Sequence, residues 1–375
     1  MSTSPLIYYS NSGVQEDWTC PRSRYWGHEY QGVGLQTGET SLEYLIGQVL
    51  HDGLAAIARD VPIDDIAGAA FQQIRGTLLD QMGGEMDADI FASEQATLTE
   101  GMLRGYHKHV WPRFRQQFPT LVGHEKELIY THDEIFRFMA KPDLLPRDVE
   151  GNLWYVEYKS TSSKKEEWIN SWSTAVQLHS SVRAVEQLLG EKVMGVIVQG
   201  FYKGYVSYGK QTSPFCYGYY SPANPPFTQA RWSYEYKQGL KKYPIWERPG
   251  GVKAWIDGMP EGMLAEQFPQ TPPIFLKEHL IDAFFRQRVV REREIYQGSS
   301  ELRDPHTASY MGSRILDAVF PQRFNQCIPS FGRPCKFRKL CHGPEGVDPL
   351  ASGFVLRDTS HRAAWIGEEP VHEEG

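Results

Sequence analysis

A short segment of alternating residues constrains the fold more than any other feature of the chain. Residues 153–159, with the sequence LWYVEYK, alternate in polarity and are rich in Trp, Tyr and Val, which predicts a strand. On a strand, Glu157 and Lys159 are two positions apart and therefore point to the same face. Asp143 precedes them across a predicted turn at 144–151. The segment therefore predicts two carboxylates and an amine close together.

Helices and strands surround this segment in the order helix, strand, strand, strand, helix, strand. We predict helices at 41–59 and 168–189, the second ending at Gly190, and further strands at 125–129, 135–140 and 193–201. This order predicts an α/β fold with a central mixed sheet flanked by helices.

The remaining sequence divides the chain into regions. We predict an irregular N-terminal segment at 1–40, a core at 41–202 with a helical insertion at about 60–118, a second insertion with short strands at 203–275, a C-terminal region at 276–350 and a tail at 351–375. The C-terminal region begins with a charged amphipathic helix at 275–296 and is expected to be irregular from residue 304.

Composition excludes several classes of protein. Of the 375 residues, 41% are hydrophobic and 23% are charged, which excludes a disordered tail, a collagen-like repeat and a coiled coil. The longest nearly apolar run is about ten residues, whereas a membrane-spanning helix needs about 20. Residues 1–13 lack the pattern of a signal peptide. We therefore expect a cytoplasmic protein without membrane association.

Charge is unevenly distributed along the chain. The formal net charge is −7, which argues against a protein that simply coats DNA. Immediately after a strongly acidic stretch, residues 101–115 contain basic residues interleaved with aromatic ones. The basic residues are Arg104, Lys108, Arg113 and Arg115. This mixture suits contact with single-stranded DNA through phosphates and stacked bases, and the alternative is an ordinary solvated helix with aromatic residues in the core.

The acidic residues and the lysine of the first segment suggest a metal site. Asp143 and Glu157 supply hard oxygen ligands that suit Mg²⁺ or Mn²⁺. Lys159 can orient or deprotonate a water for attack on phosphorus. The alternative is an exposed Glu–Lys pair on a surface strand.

Cysteine spacing suggests a second metal site. Cys327, Cys335 and Cys341 follow the pattern C-x7-C-x5-C among Pro, Phe and basic residues. In an intracellular chain such clustering favours a metal over disulfides, and Cys20 can supply a fourth thiolate. Four thiolates suit either an iron–sulfur cluster or Zn²⁺. Cys216 is expected to be a small buried residue.

Taken together, the motifs resemble those of the PD-(D/E)XK nuclease superfamily, and within it the RecB-like exonuclease branch. The resemblance rests on the sequence G-x-x-x-H ending at His51, on Asp143, on Glu157 and Lys159 in E-x-K, and on Gln177 in the following helix. It implies a restriction-endonuclease-like core. It also implies a divalent-metal site of His51, Asp143 and Glu157, completed by Lys159 and Gln177.

One position departs from the RecB-like pattern. Many members have a Tyr four residues after the Gln, where it contacts DNA or phosphate, and this chain has Ser181. The departure keeps open a second hypothesis, a nucleic-acid-binding subunit with the nuclease fold and little or no cleavage activity.

The four cysteines resemble those of the iron–sulfur subset of the same nucleases, which includes AddB-type recombination nucleases and the CRISPR spacer-acquisition nuclease. In that subset a Cys-Pro-Arg sequence near the N-terminus, here at Cys20, accompanies three C-terminal cysteines. The resemblance implies a [4Fe–4S] cluster bound by Cys20, Cys327, Cys335 and Cys341. Such a cluster would staple the N-terminal region to the C-terminal region.

These features predict a Mg²⁺- or Mn²⁺-dependent deoxyribonuclease that hydrolyses phosphodiester bonds with a metal-activated water. We expect an exonuclease whose substrate is DNA, as single strands or ends. Recombination, repair or phage-type proteins are the expected protein partners.

Overall fold

Two units make up the chain. The first comprises residues 1–40, 129–140 and 282–375, and the second comprises 41–128 and 141–281. The structure is a computed structural model. It describes residues 7–38, 41–82, 88–124, 128–132, 135–161, 165–172, 175–203, 253, 256–257, 261–327, 335–343 and 347–357.

The chain has a mixed α/β architecture. The described strands are β1 (Ile7–Ser10), β2 (Leu35–Thr37), β3 (Thr120–His124), β4 (Leu128–His132), β5 (Phe136–Ala140), β6 (Leu144–Arg147), β7 (Leu153–Thr161), β8 (Val193–Tyr202) and β9 (Phe354–Leu356). The described α-helices are α1 (Asn11–Thr19), α2 (Pro21–Arg24), α3 (Leu42–Ala58), α4 (Ile63–Met82), α5 (Ala88–Gly105), α6 (Trp111–Gln117), α7 (Lys165–Ser171), α8 (Val176–Leu189), α9 (Glu261–Gln267), α10 (Glu278–Arg303), α11 (Pro305–Val319), α12 (Phe324–Cys327) and α13 (Arg338–His342). None of these helices is long and apolar enough to cross a membrane.

The second unit contains the predicted mixed sheet. Its strand order is β3-β6-β7-β8, with β6 antiparallel to both neighbours and β7 parallel to β8. Parallel strands need a crossover connection, and α7 and α8 lie within it. The alternation predicted for β7 is present, because Val156 and Tyr158 lie in the main hydrophobic core while Tyr155, Glu157 and Lys159 belong to the opposite face.

Helices supply the rest of this core. In α4 the buried residues Ile66, Ala70, Ile74 and Leu78 recur every four positions and so form one stripe. A Cβ added at Gly53 of α3 would lie 2.6 Å from the side chain of Leu103 of α5, so glycine lets these two helices approach closely. The segment predicted as helical at about 60–118 contains α4, α5 and α6, with a π-helical turn at Tyr106–Val110.

The predicted turn at 144–151 is wrong in its first half, because Leu144–Arg147 forms strand β6. The proline that suggested a turn is Pro146. It pairs with Leu121 beside a register shift in β3, and such irregularities tolerate a residue that cannot donate to the ladder. The actual turn follows at Asp148, whose carboxylate accepts the backbone N–H of Asn152 at 2.8 Å.

The helix predicted at 168–189 is two helices, α7 and α8. Ser171 ends the first, and its hydroxyl donates to the carbonyl of Trp168, a local bond that competes with helix continuation. The predicted end of the second helix is confirmed, since Gly190 adopts φ of 67° as the C-cap. Most of the predicted insertion at 203–275 lies outside the described residues, although Ile274 and Gln270 form isolated bridges to β8.

The N-terminal segment expected to be irregular contains regular structure in the first unit. Strand β1 pairs in parallel with β5, and β5 pairs with β4. Helix α1 begins at once after β1, with the Ser10 hydroxyl accepting the backbone N–H of Gly13 as an N-cap. Of the strand predicted at 125–129, residues 125–127 lie outside the described part of the chain.

The C-terminal region expected to be irregular from residue 304 begins with helix α11. Asp304 caps this helix and Pro305 occupies its first position, a pattern typical of helix starts. Within the same unit, the Arg22 guanidinium bonds Asp317 and the carbonyl of Phe320, both at 2.7 Å. Long-range contacts of this kind order the segment and are not visible in its local sequence.

Candidate active site

Strand pairing brings the two predicted carboxylates together. Asp143 directly precedes β6, and its neighbour Leu144 pairs with Val156 on β7. Asp143 is therefore placed beside Glu157, the next residue of β7. Both acidic residues are buried, with 6% and 2% of their surfaces exposed.

Both carboxylate oxygens of Asp143 have protein partners. Oδ1 lies 2.8 Å from Nδ1 of His51, which projects from α3. Oδ2 accepts the backbone N–H of Tyr158 at 2.6 Å. These two bonds connect helix α3 to the β6–β7 pair at the position of the acidic residues.

Glu157 is held by three side chains. Its Oε1 lies 2.5 Å from Nζ of Lys159 and accepts a hydrogen bond from Nε2 of Gln177, also at 2.5 Å. Its Oε2 accepts the hydroxyl of Tyr155 at 2.5 Å. A buried carboxylate needs such donors, because removal from water without them is costly.

The electrostatics of the site oppose ionisation of Glu157. Burial is the largest cause that raises the pKa of Glu157, and the negative charge of Asp143 raises it further. The ammonium of Lys159 acts in the opposite direction but does not cancel the increase. Two neighbouring buried carboxylates thus create a place where additional positive charge is favourable.

Tyr155 is a site residue that the sequence analysis missed. It is fully buried, and burial first, then the charge of Glu157, raises the pKa of its phenol well above the ordinary value. The phenol therefore stays protonated and acts as a donor. It also forms a side-chain hydrogen bond with Ser181. The period-two pattern of β7 was the available signal, since Tyr155 and Glu157 share a face.

The structure brings all five residues predicted for the nuclease site into one connected cluster. Gln177 contacts Glu157 directly, at the same carboxylate oxygen that contacts Lys159. All five belong to the second unit. The cluster is formed by His51, Asp143, Glu157, Lys159 and Gln177.

Comparison with protein families agrees with this geometry. The family model of the PD-(D/E)XK nuclease superfamily matches residues 9–257, well over half of the chain. The chain belongs to the PD-(D/E)XK nuclease superfamily. Members of this superfamily are metal-dependent nucleases that cleave phosphodiester bonds, and the family implies DNA as the substrate. A comparison with curated proteins finds no match.

The donor set of the PD-(D/E)XK site suits a divalent metal. Two carboxylates and an imidazole are ligands that Mg²⁺ and Mn²⁺ accept. The negative charge of Asp143 raises the pKa of Glu157, and a bound cation would relieve this repulsion. The fit is one of donor types and not of a finished geometry, since within the described residues no three His, Cys, Asp or Glu side chains are arranged to hold a metal ion.

Acidic side chains compensate part of the positive charge of the predicted DNA-binding stretch. Arg104 has a side chain only 12% exposed and pairs with Asp64 at 2.5 Å and with Glu100 at 2.7 Å. Lys108 pairs with Asp257. These pairs reduce the positive charge available to a phosphate, so a role of either residue in binding DNA stays a prediction.

Arg113 and Arg115, the other two residues of this stretch, lie on α6. The guanidinium of Arg115 lies 5.7 Å from the centroid of the Trp111 ring and donates to the carbonyl of Phe118 at 3.4 Å. Within the stretch, Tyr106, Trp111 and Phe114 are buried in the core. Much of the aromatic content of the stretch is therefore structural, as the alternative hypothesis holds.

The four cysteines predicted as cluster ligands all lie in the first unit. Cys20 and Cys327 are buried, Cys335 and Cys341 are half-buried, and none of these four is disulfide-bonded. The backbone N–H of Cys335 donates to the carbonyl of Cys327 at 3.1 Å. Burial chiefly raises the pKa of the Cys335 thiol, and the charges of Cys20 and Cys327 raise it further. All four cysteines are among the described residues, and within these no three His, Cys, Asp or Glu side chains are arranged to hold a metal ion, so the cluster stays a prediction. Cys216 lies outside the described residues.

Proposed function

We propose that this PD-(D/E)XK protein is a Mg²⁺- or Mn²⁺-dependent deoxyribonuclease of the RecB-like branch. It acts as an exonuclease on DNA ends or single strands. The observation that supports this proposal most directly is the cluster of His51, Asp143, Glu157, Lys159 and Gln177 around two buried carboxylates.

Asp143, Glu157 and His51 would hold the divalent metal. A cation bound there supplies the charge that lowers the pKa of a bound water and stabilises the transition state at phosphorus. The hydrogen bonds from Tyr158 to Asp143 and from Gln177 to Glu157 orient the two carboxylates before any ligand arrives.

Lys159 would position the attacking water and exchange protons with it. Its ammonium is anchored to Glu157 at 2.5 Å, and its side chain is 29% exposed. The group is thus fixed at the acidic residues and still open to solvent. General acid–base groups in such positions contribute roughly 10²–10⁴-fold to rate.

The proposal includes a [4Fe–4S] cluster bound by Cys20, Cys327, Cys335 and Cys341, with Zn²⁺ as the alternative occupant. Its support is the spacing of the cysteines in the sequence and the location of all four in one unit without a disulfide bond. Thiolates are ligands for either occupant. Iron, acid-labile sulfide and zinc analysis of anaerobically purified protein distinguishes the two.

Cleavage of matched linear and circular DNA tests the nuclease proposal. We expect end-labelled linear single strands and duplexes to be degraded with Mg²⁺ or Mn²⁺, and not with EDTA, while circular forms of the same sequences stay intact. Cleavage of circles would make the protein an endonuclease. Metal-independent cleavage would contradict the proposed chemistry. DNA binding without any cleavage would instead support the nucleic-acid-binding subunit. A cytoplasmic location and recombination, repair or phage-type partners stay predictions.

A further inference from the structure

The first unit contains a cavity of about 400 Å³ that is separate from the residues of the candidate active site. Two of its lining residues are aromatic. Trp18, at the end of α1, is 40% exposed, and Phe284 of α10 lies with its ring centroid 6.2 Å away at an angle of 87°. A partly exposed Trp beside a cavity is an apolar surface available to a flat ligand.

The floor of the cavity is charged but balanced. Arg288 is 2% exposed and bonds Asp17 at 3.0 Å and Glu292 at 2.6–2.7 Å. Arg291 bonds the same Asp17 at 2.8 Å and Glu294 at 3.1 Å. Because carboxylates already engage both guanidinium groups, the floor offers little net attraction to a multiply charged anion. It suits a neutral ring with polar edges.

The rim of the cavity differs from its floor. Gln287 is exposed and carries both a donor and an acceptor in its side-chain amide. Arg323 is also exposed, and its guanidinium donates to the backbone carbonyl of Trp18. That acceptor is uncharged, so this bond holds the arginine beside Trp18 without neutralising it.

We propose that this cavity binds one unstacked nucleobase of single-stranded DNA. The base stacks on Trp18, and its polar edge contacts Gln287 and the charge-balanced floor. The adjoining phosphate contacts Arg323. A cavity of 400 Å³ lies within the range of small-ligand sites, about 300–1,000 Å³. Aromatic stacking combined with an arginine at the backbone is the usual way to bind a single strand. The choice of DNA as ligand rests on the proposed function.

Binding of a fluorescently labelled single strand in EDTA, followed by anisotropy, tests the cavity without cleavage. Trp18→Ala should weaken binding about 5- to 160-fold, the range given by loss of one base stack. Trp18→Phe, which keeps an aromatic ring, should recover most of the affinity. Tyr310→Ala is the matched control, because Tyr310 is an 84% exposed aromatic residue of the same unit outside the cavity lining. Thermal unfolding checks that each variant is folded.

An abasic strand separates base binding from backbone binding. The loss caused by Trp18→Ala should disappear when every base is absent. Arg323→Gln should weaken binding of both strands and lower the salt slope by about 0.7, the value for one phosphate contact on a single strand. Arg314→Gln, on an exposed position of α11, serves as its control.

Three results would overturn the cavity proposal: unchanged affinity in Trp18→Ala, an equal loss on intact and abasic strands, or wild-type protein that binds no single strand. None of these depends on catalysis. Failure of the nuclease proposal would appear separately, as absence of metal-dependent cleavage in wild-type protein.

Discussion

The hydroxyl of Tyr155 donates a 2.5 Å hydrogen bond to Oε2 of Glu157, two residues further along the same face of β7. Ser181 of α8 bonds the same hydroxyl, and both Tyr155 and Ser181 are buried. Ser181 occupies the position at which many RecB-like nucleases have Tyr. The position that departs from the RecB-like pattern therefore lies in contact with the strand tyrosine.

Tyr155→Phe should therefore reduce catalysis without unfolding the protein. The substitution keeps the ring in the core and removes one donor to a buried carboxylate, an interaction worth about 1.5–3 kcal/mol when the acceptor is charged. We expect cleavage to fall about 10- to 100-fold and Mn²⁺ affinity, measured by calorimetry, to change as well. Tyr158→Phe is the control, since the Tyr158 hydroxyl bonds Tyr106 on the opposite face. Equal effects of both variants on activity would contradict a positioning role for Tyr155.

Asp143→Asn should abolish metal-dependent cleavage while largely preserving the fold. The amide keeps an oxygen for the backbone N–H of Tyr158, whereas Asp143→Ala would leave this buried donor without its partner at a cost of about 1–3 kcal/mol. We expect Mn²⁺ binding to weaken sharply in Asp143→Asn, with an unfolding midpoint close to that of wild type. Full activity in the folded variant would refute the site.

Lys159→Ala should reduce cleavage while leaving metal binding intact. The lysine contacts Glu157 but is not among the proposed ligands, so its removal leaves the oxygen donors in place. We expect cleavage to fall roughly 10²–10⁴-fold. Mn²⁺ affinity, measured on the same preparation, should be retained. A parallel loss of both properties would show that Lys159 supports the metal site instead of the attacking water.

The sequence predicted the parts of this site that depend on local periodicity. Alternation in β7 placed Glu157 and Lys159 on one face, and Asp143 was expected near them across a turn. It did not predict strand β6 around Pro146, because the register shift that accommodates this proline belongs to β3. Nor did it predict the pair of Arg104 with Asp64, which are 40 positions apart and meet only after α4 and α5 pack.

The buried ion pairs of Asp17 should make stability depend on pH below about 4. Burial alone would raise the pKa of Asp17, but hydrogen bonds from Arg291 and the charge of Arg288 outweigh it and lower the pKa below its ordinary value. A carboxyl with a lowered folded-state pKa stabilises the protein above the unfolded pKa of about 3.9, and this contribution is lost as pH falls through the folded pKa. Asp17→Asn should cost about 3–5 kcal/mol at pH 7, because it removes one of the two carboxylates that bond the buried guanidinium of Arg288 and one of the two that bond the half-buried guanidinium of Arg291. Urea unfolding should show that the difference between wild type and variant shrinks as pH falls towards 3. A difference independent of pH would contradict this assignment.

Loss of one cysteine of the proposed cluster should remove its colour and reduce the solubility of the protein. We expect Cys327→Ala and Cys341→Ala to lack absorbance near 400 nm (an approximate band position) because each removes one of four thiolate ligands. Ligand bonds that join distant parts of a chain restrict its unfolded state and so stabilise the folded protein. Without them a larger fraction of the protein is unfolded, and solubility should fall. Cys216→Ala is the matched control and should retain wild-type iron. Iron and sulfide content equal to wild type in both cluster variants would refute the iron–sulfur assignment. Stoichiometric zinc without iron in wild-type protein would identify the site as a zinc site.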